Sequence, residues 1–206
     1  MSYINAYTAR LTTARTAVFA RRDAMSLVGK LGLALAFAAM TGLAAQVRIP
    51  LPFSPVPITG QTFAVLAAGV LLGRNFGGIS MALYAGLGAA GVPWFNGGAG
   101  GAAVLAGPTG GYLVGFIAAA IIIGYLTDRY PVVRHFGPML GIMLAVNFLV
   151  IHGLGLAWLG VYIGVIKGSA VSFGSLFALG AAPFIVGDVI KAVAAALMAK
   201  TVLPKA

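Results

Sequence analysis

The sequence contains no cysteine and very little negative charge. Its 206 residues include three acidic residues against 13 Lys and Arg, and only two histidines. Without cysteine there is no disulfide framework and no thiol nucleophile. The few acids and histidines do not assemble a convincing metal site or a pair of catalytic carboxylates. We therefore expect a protein that is not an enzyme and that has no metal and no cofactor.

Charge of either sign is scarce, at 8% of residues, whereas hydrophobic residues make up 61% and the mean hydropathy is +1.03. A soluble domain has roughly a quarter charged residues, so this chain could not cover its surface against water. The net charge of +10 would indicate nucleic acid in a soluble protein. Here the basic residues flank apolar blocks, which is the pattern of membrane topology. The composition predicts an all-α integral membrane protein that contacts lipid and no nucleic acid.

The apolar blocks are long enough for membrane helices, which need about 20 residues each. We expect a basic cytoplasmic segment over residues 1–24, a membrane domain over 25–200 and a short cytoplasmic tail over 201–206. A semi-polar stretch at 161–180 is expected to be a re-entrant or interfacial connection. The pattern predicts six transmembrane helices, at about residues 25–45, 59–72, 76–90, 109–126, 137–159 and 181–199.

Lys and Arg residues are distributed unequally between the two sides of the predicted topology. With the N-terminus inside, the outer segments contain only Arg48 and Lys167. All other basic residues except the intramembrane Lys191 then lie on the inner side, as the positive-inside rule requires. We expect both termini in the cytoplasm and the protein in a bacterial cytoplasmic membrane.

The last apolar block contains an acid and a base one helical turn apart, Asp188 and Lys191, in "PFIVGDVIK". Each costs about 2.5–3.5 kcal/mol at the centre of a membrane helix on insertion scales. At a spacing of i and i+3 they can pair, which recovers part of that cost. Two interpretations stay open: a self-neutralising pair for helix packing, or a polar binding pocket, which is the usual role of intramembrane ionisable groups.

Further polar candidates lie in the fifth predicted span and in a glycine-rich loop on the predicted outer side. Asn147 and His152 are placed where hydrogen bonds between helices are common, and a lone histidine is more often a packing residue. The loop "WFNGGAGG" combines flat aromatic side chains, an amide and backbone that a ligand can approach closely. It could equally be a flexible connector with an aromatic anchor. The chain has no G-x-x-x-x-G-K-[ST] motif, so it does not bind ATP by that device.

Four blocks occur in one order: "PLPFSPVPITGQTFAVLAAGVLLG", "GAAGVPWFNGGAGG", "GPTGGYLVGF" and "PFIVGDVIK". With these blocks the chain resembles the BioY family, the biotin-specific substrate-binding (S) components of energy-coupling-factor (ECF) transporters. The resemblance extends from about residue 34 to residue 199. It implies a six-helix S-component bundle that binds biotin from outside. It also implies a transmembrane coupling protein and two cytoplasmic ATPases as partners, although the ATPases are dispensable in some organisms.

The resemblance also implies roles for single residues. Asp188 and Lys191 would serve the ureido ring of biotin, which has two N–H donors and one carbonyl acceptor. The biotin carboxylate would meet Asn96 or loop amides near Gly98, or instead Lys191, so the ligand orientation stays open. Ala34 and Ala38 match the A-x-x-x-A motif that docks on the coupling protein, although their spacing alone carries little information. The remaining residues that we expect at the substrate site are Trp94, Phe95, Gly97, Tyr112 and Asn147.

A second class of function is compatible with the composition. An autonomous channel or facilitator for a small polar solute would place polar stripes in several spans. The polar groups of this chain are concentrated in one span and in the outer loops, which favours a binding site. A structural scaffold with an Asp–Lys pair between helices is a third interpretation, and it leaves the glycine-rich loop without a role.

Overall fold

The computed structural model describes residues 13, 15–17 and 19–204. Most of the predicted N-terminal segment and the end of the predicted tail therefore lie outside the described residues. Within that segment, residues 19–24 are helical. Residues 201 and 202 belong to the last helix, so the helix extends slightly into the predicted tail.

The described chain is almost entirely helical, with one short two-stranded ribbon. Helix α1 begins after Ser26, whose hydroxyl accepts a hydrogen bond of 3.2 Å from the N–H of Gly29 and so caps the helix. Four single turns connect or extend the main elements, at Asn96–Gly98, Ala103–Ala106, Pro131–Arg134 and Ala182–Phe184. The helices and strands are α1 (Leu27–Gln46), β1 (Arg48–Ile49), β2 (Ile58–Thr59), α2 (Gln61–Ala89), α3 (Gly110–Arg129), α4 (Phe136–Ile166), α5 (Phe173–Gly180) and α6 (Ile185–Val202).

Helix α2 reverses direction at Gly73, where φ is +75° and ψ is −175°. The side-chain amide of Gln61 donates a hydrogen bond of 2.8 Å to the hydroxyl of Tyr84. In a straight helix residues this far apart would be separated by more than 30 Å, at about 1.5 Å per residue. The arms 61–72 and 74–89 therefore lie side by side. The Asp128 carboxylate accepts from the N–H of Arg74 at 3.0 Å, which satisfies one free donor at the start of the second arm.

Five helical runs among the described residues are long and apolar enough to cross a membrane: 27–46, 61–89, 110–129, 136–166 and 173–202. The predicted second and third spans both fall in α2, on either side of the reversal at Gly73. The predicted count of six crossings and the orientation of the termini stay predictions. The expected re-entrant connection at 161–180 is wrong in its first part, because α4 continues to Ile166 and the chain turns only at Gly168, with φ of +65°.

Basic residues gather at one end of the bundle, where α1 begins, α2 reverses, α3 ends and α6 ends. Arg22 donates to the carbonyl of Leu71 at 3.1 Å, and Arg134 donates to the carbonyl of Pro204 at 3.3 Å. We call this the basic end. The opposite end, the loop end, is formed by the ribbon β1–β2, the connection 90–109 and the start of α6. The unequal distribution of Lys and Arg in the sequence is thus a division between two ends of the molecule.

Small residues let the helices approach closely. Ala34 and Ala38 are both 0% exposed and belong to the core, and in the same interface the Thr41 hydroxyl lies 3.9 Å from the sulfur of Met81 in α2. The two alanines therefore face the interior of this chain. The predicted contact of Ala34 and Ala38 with a coupling protein stays a prediction. Within the described structure their small side chains allow α1 to pack against α2.

Candidate functional site

A cavity of about 380 Å³ opens at the loop end, between the ribbon, both arms of α2, the connection 90–109, α3, α4 and α6. Such a volume is within the usual range for small-molecule sites. Its wall is mainly apolar, with a few polar side chains on it. The apolar side chains include Val56, Phe95, Val104, Leu113, Phe116, Ile151 and Phe184. The polar ones include Thr59, Gln61, Thr62, Asn96, Thr109, Tyr112, His152, Asp188 and Lys191.

Asp188 and Lys191 form an ion pair in the wall of this cavity. Asp188 lies in the first turn of α6, where the helix dipole favours a carboxylate. The Lys191 ammonium is one turn further and lies 2.5 Å from Asp188 Oδ1. Lys191 also donates to the backbone carbonyl of Thr59 at 2.9 Å, which ties α6 to the ribbon. The Asp188 side chain is 2% exposed and that of Lys191 is 16% exposed, so a ligand would meet the ammonium first.

Two side chains of α4 hold the other oxygen of Asp188. The Asn147 amide donates to Asp188 Oδ2 at 3.0 Å, and Nε2 of His152 lies 2.7 Å from the same atom. Nδ1 of His152 lies 3.0 Å from the carbonyl of Gly180, so the ring is fixed at both nitrogens. The carboxylate is therefore oriented from behind by α4 and neutralised from the front by Lys191.

A local change of helix type brings Asn147 and His152 to the same side. Residues Val146–Ile151 form a π-helical turn, and the N–H of His152 donates to the carbonyl of Asn147. In an α-helix two residues five positions apart point in directions about 140° apart, because each residue turns the helix by about 100°. The wider π turn lets both side chains face Asp188, and such turns are frequent at functional sites. Both residues are polar candidates in the sequence, but α-helical periodicity could not place them on one face, because their spacing fits no such face.

Phe95, Asn96 and Ala99 are the residues of the predicted glycine-rich loop that line the cavity. Phe95 is 1% exposed, and its ring meets the ring of Tyr84 edge to face at 5.3 Å. The Asn96 side-chain oxygen lies 3.5 Å from a guanidinium nitrogen of Arg48. The loop thus contributes one aromatic wall and one polar group to the cavity.

Trp94, Gly97 and Gly98, which we also predicted as substrate contacts, are outside the cavity lining. The Trp94 indole N–H donates to the carbonyl of Tyr84 at 2.9 Å, and the N–H of Gly98 donates to the side chain of Gln46 at 3.0 Å. Gly97 has φ of +76°, and a side chain there would run into Arg48. In this structure these three residues fix the shape of the loop.

Tyr112 lines the cavity as predicted, close to His152. Its hydroxyl donates to the carbonyl of Gly180 at 2.7 Å, and its ring meets the His152 ring edge to face at 5.8 Å. The same carbonyl therefore anchors both side chains. Asn147, in contrast, is fully buried behind Asp188 and does not line the cavity, so its connection to the cavity is its hydrogen bond to that carboxylate.

Replacing Asn147 with Leu should weaken ligand binding by about tenfold, because Asp188 then loses one hydrogen bond that orients its carboxylate. Equilibrium binding to the purified protein measures the effect. A double-mutant cycle with Asp188→Asn tests the reason. If Asn147 acts through Asp188, the losses of binding free energy in the two single variants should be strongly non-additive. Simple additivity would show that Asn147 acts independently of the carboxylate.

Comparison with known proteins gives one consistent result. The model of the BioY family matches residues 13–206. A probable biotin transporter BioY of Methanothermobacter thermautotrophicus is 45% identical over 138 residues, which are 67% of this chain and 88% of that protein. The probable biotin transporter BioY of Pyrococcus horikoshii is 37% identical over 83% of this chain and 94% of its own length. The biotin transporter BioY of Thermotoga maritima is 40% identical over 79% of this chain and 89% of its own.

A solved structure is similar across most of the fold. The crystal structure of the S-component for biotin from an ECF-type ABC transporter superposes with a TM-score of 0.74 at 28% sequence identity. The match covers 86% of this chain and 93% of that chain. The likeness therefore includes the helices on both sides of the cavity and is not limited to one sequence motif.

Proposed function

Because this chain belongs to the BioY family, we propose that it binds biotin in the loop-end cavity and is the substrate-binding component of an ECF-type transporter. The protein is a multi-pass membrane protein, with five helical runs long and apolar enough to cross a bilayer. The observation that carries the proposal is the Asp188–Lys191 pair in the wall of an otherwise largely apolar cavity. The proposal involves binding and release without chemistry, and no resident cofactor or metal.

Biotin has a polar ureido ring and an apolar body, which match the polar and the apolar side chains of the cavity wall. Its fused ureido ring has two N–H donors and a carbonyl acceptor, which Asp188 and Lys191 can serve from one helical turn. Asp188 Oδ1 accepts no aligned hydrogen bond within the described structure, although the ammonium lies beside it. A ureido N–H that reaches this oxygen has to displace the ammonium, which can then donate to the ureido carbonyl.

The rest of the ligand is apolar except for one carboxylate. The thiophane ring and the aliphatic tail suit the aromatic wall of Phe95, Phe116 and Phe184. The carboxylate at the end of the tail would meet the loop near Asn96, where the guanidinium of Arg48 supplies positive charge. This orientation leaves Lys191 to the ureido ring, and it is the arrangement that we propose.

The proposed partners and orientation follow the same family membership. The loop end would face outward and the basic end the cytoplasm of a bacterial cell. A transmembrane coupling protein would dock on the lipid-facing side of α1, where Leu35 is 46% exposed and Leu43 is 72% exposed. Where two cytoplasmic ATPases are present, they would drive release of the ligand. The proposal also includes uptake without them.

A direct titration tests the proposed function. Ligand-free protein in detergent should bind biotin saturably and bind neither pantothenate nor riboflavin, followed by tryptophan fluorescence. Mass spectrometry beforehand establishes that no biotin has co-purified. Trp158 is a suitable reporter because its indole donates at 2.8 Å to the carbonyl of Gly107, which lines the cavity. Folded, ligand-free protein that does not bind biotin would overturn the proposal and favour the channel interpretation.

A further inference from the structure

A second cavity, of about 450 Å³, lies at the basic end, between the start of α1, the reversal of α2 and the end of α3. The proposed biotin site uses none of its residues. Four basic side chains and two carboxylates line it: Arg22, Lys30, Arg74, Arg129, Asp23 and Asp128. The cavity therefore combines an excess of positive charge with a volume large enough for a small anionic group.

The two carboxylates are already engaged by neighbouring groups. Asp23 Oδ1 lies 2.8 Å from the Arg22 guanidinium, and Asp128 Oδ1 lies 3.8 Å from the same guanidinium. The other oxygen of Asp128 accepts from the N–H of Arg74 at 3.0 Å. Arg22 also donates to the carbonyl of Leu71. Arg22 and the N–H of Arg74 at the reversal of α2 thus already contact both carboxylates.

Of the other three basic side chains, Lys30 donates to the backbone carbonyl of Asp23 at 2.8 Å, which leaves Arg74 and Arg129. The Arg74 guanidinium lies 5.5 Å from the centre of the Tyr125 ring, which is a cation–π contact and uses none of its hydrogen-bond donors. Neither guanidinium forms an ion pair or a side-chain hydrogen bond with any residue that the structure describes. A guanidinium has five donors in a planar fork that matches the oxygens of phosphate.

Apolar side chains line part of the cavity wall and the adjacent surface of α1. Leu33, Leu72 and Phe76 belong to its wall. At the adjacent start of α1, Leu27 is 65% exposed and Val28 is 80% exposed. Charged side chains at the mouth and apolar side chains along the flank are what a phosphate group attached to a hydrocarbon body would require. Basic pockets between membrane helices on the cytoplasmic side bind such head groups.

We propose that the basic-end cavity binds the phosphate group of an anionic molecule, with Arg74 and Arg129 as its ligating side chains. Two sources can supply that group: the head group of an anionic phospholipid, or a soluble phosphate-bearing anion. The site is separate from the loop-end cavity, so the inference does not depend on the identity of the transported solute.

The test uses the full chain in an uncharged detergent and measures binding of three probes by native mass spectrometry and by the shift of the unfolding temperature. The probes are phosphatidylglycerol, the zwitterionic phosphatidylcholine and inorganic phosphate. Phosphatidylglycerol should bind about tenfold or more weakly to Arg74→Gln/Arg129→Gln than to the wild type, since charge-assisted contacts are lost. Lys200→Gln is the matched control, because it removes an exposed charge outside the cavity.

The outcomes separate the two sources. Loss of phosphatidylglycerol binding in the double variant, with no binding of inorganic phosphate to the wild type, identifies a lipid head group. Binding of inorganic phosphate that the double variant loses identifies a soluble anion. Equal binding of phosphatidylglycerol and phosphatidylcholine, or equal affinities in the wild type and the double variant, overturns the proposal. A monodisperse size-exclusion profile shows that the variant is folded, and Arg129→Gln alone, expected to weaken phosphatidylglycerol binding about threefold or more, replaces a double variant that does not fold.

Discussion

Replacing Asp188 with Asn should weaken biotin binding by about 30-fold or more. The substitution keeps the volume of the side chain but removes its charge, and the Lys191 ammonium, now 2.5 Å from Asp188 Oδ1, loses its counter-ion. Truncating one partner of a buried, hydrogen-bonded charge pair typically costs about 2–5 kcal/mol. Each 1.4 kcal/mol is roughly a factor of ten in affinity. Equilibrium titration of the purified variant with biotin measures the change.

Two further variants separate a contact with biotin from an effect on folding. Asp23→Asn makes the same chemical change on a side chain that is 66% exposed at the basic end, and it should leave biotin affinity unchanged. Asp188→Asn/Lys191→Met removes both charges, which relieves the unpaired ammonium. If Asp188 contacts biotin, this double variant should still bind poorly. Recovered binding in the double variant, or unchanged affinity in Asp188→Asn alone, would remove Asp188 from the biotin contacts.

Replacing Gly73 with Ala should lower the unfolding temperature by about 5–10 °C. Gly73 has φ of +75° and ψ of −175°, a region that is essentially restricted to glycine and that costs a residue with a side chain about 1–3 kcal/mol. An added Cβ would also run into the Asp128 carboxylate, whose Cγ would be 3.1 Å away. For a chain of this length each kcal/mol corresponds to roughly 2–4 °C. Thermal unfolding in detergent, monitored by size-exclusion chromatography, gives the unfolding temperature.

The same helix offers a matched control. Gly86 lies in the second arm of α2, and an added Cβ there would meet no atom within 4 Å. Gly86→Ala should leave the unfolding temperature unchanged or raise it slightly, because alanine is the better helix former. If both variants unfold at the wild-type temperature, the sharp reversal at Gly73 is not the conformation of the protein. A drop in both would instead indicate a general sensitivity of α2 to added side chains.

Local features of the sequence were enough to predict much of the fold. The shortage of charge and the spacing of basic residues indicated a helical membrane protein, and the structure gathers those residues at one end. The ion pair of Asp188 and Lys191 was also predictable, because one helical turn separates the two residues whatever surrounds them. The loop was predicted only in part: Phe95 and Asn96 line the cavity, whereas Trp94 and Gly97 do not.

By itself, then, the sequence determined the helical membrane class, the separation of the two ends and the acid–base turn of α6, since each of these depends on composition or on neighbours within one turn. Tertiary structure decided the rest. It buried Ala34 and Ala38 against α2, and it turned Asn147 and His152 together onto Asp188 through a π turn. Those outcomes depend on which helix faces meet, and a face becomes inner or outer only when its neighbour is in place.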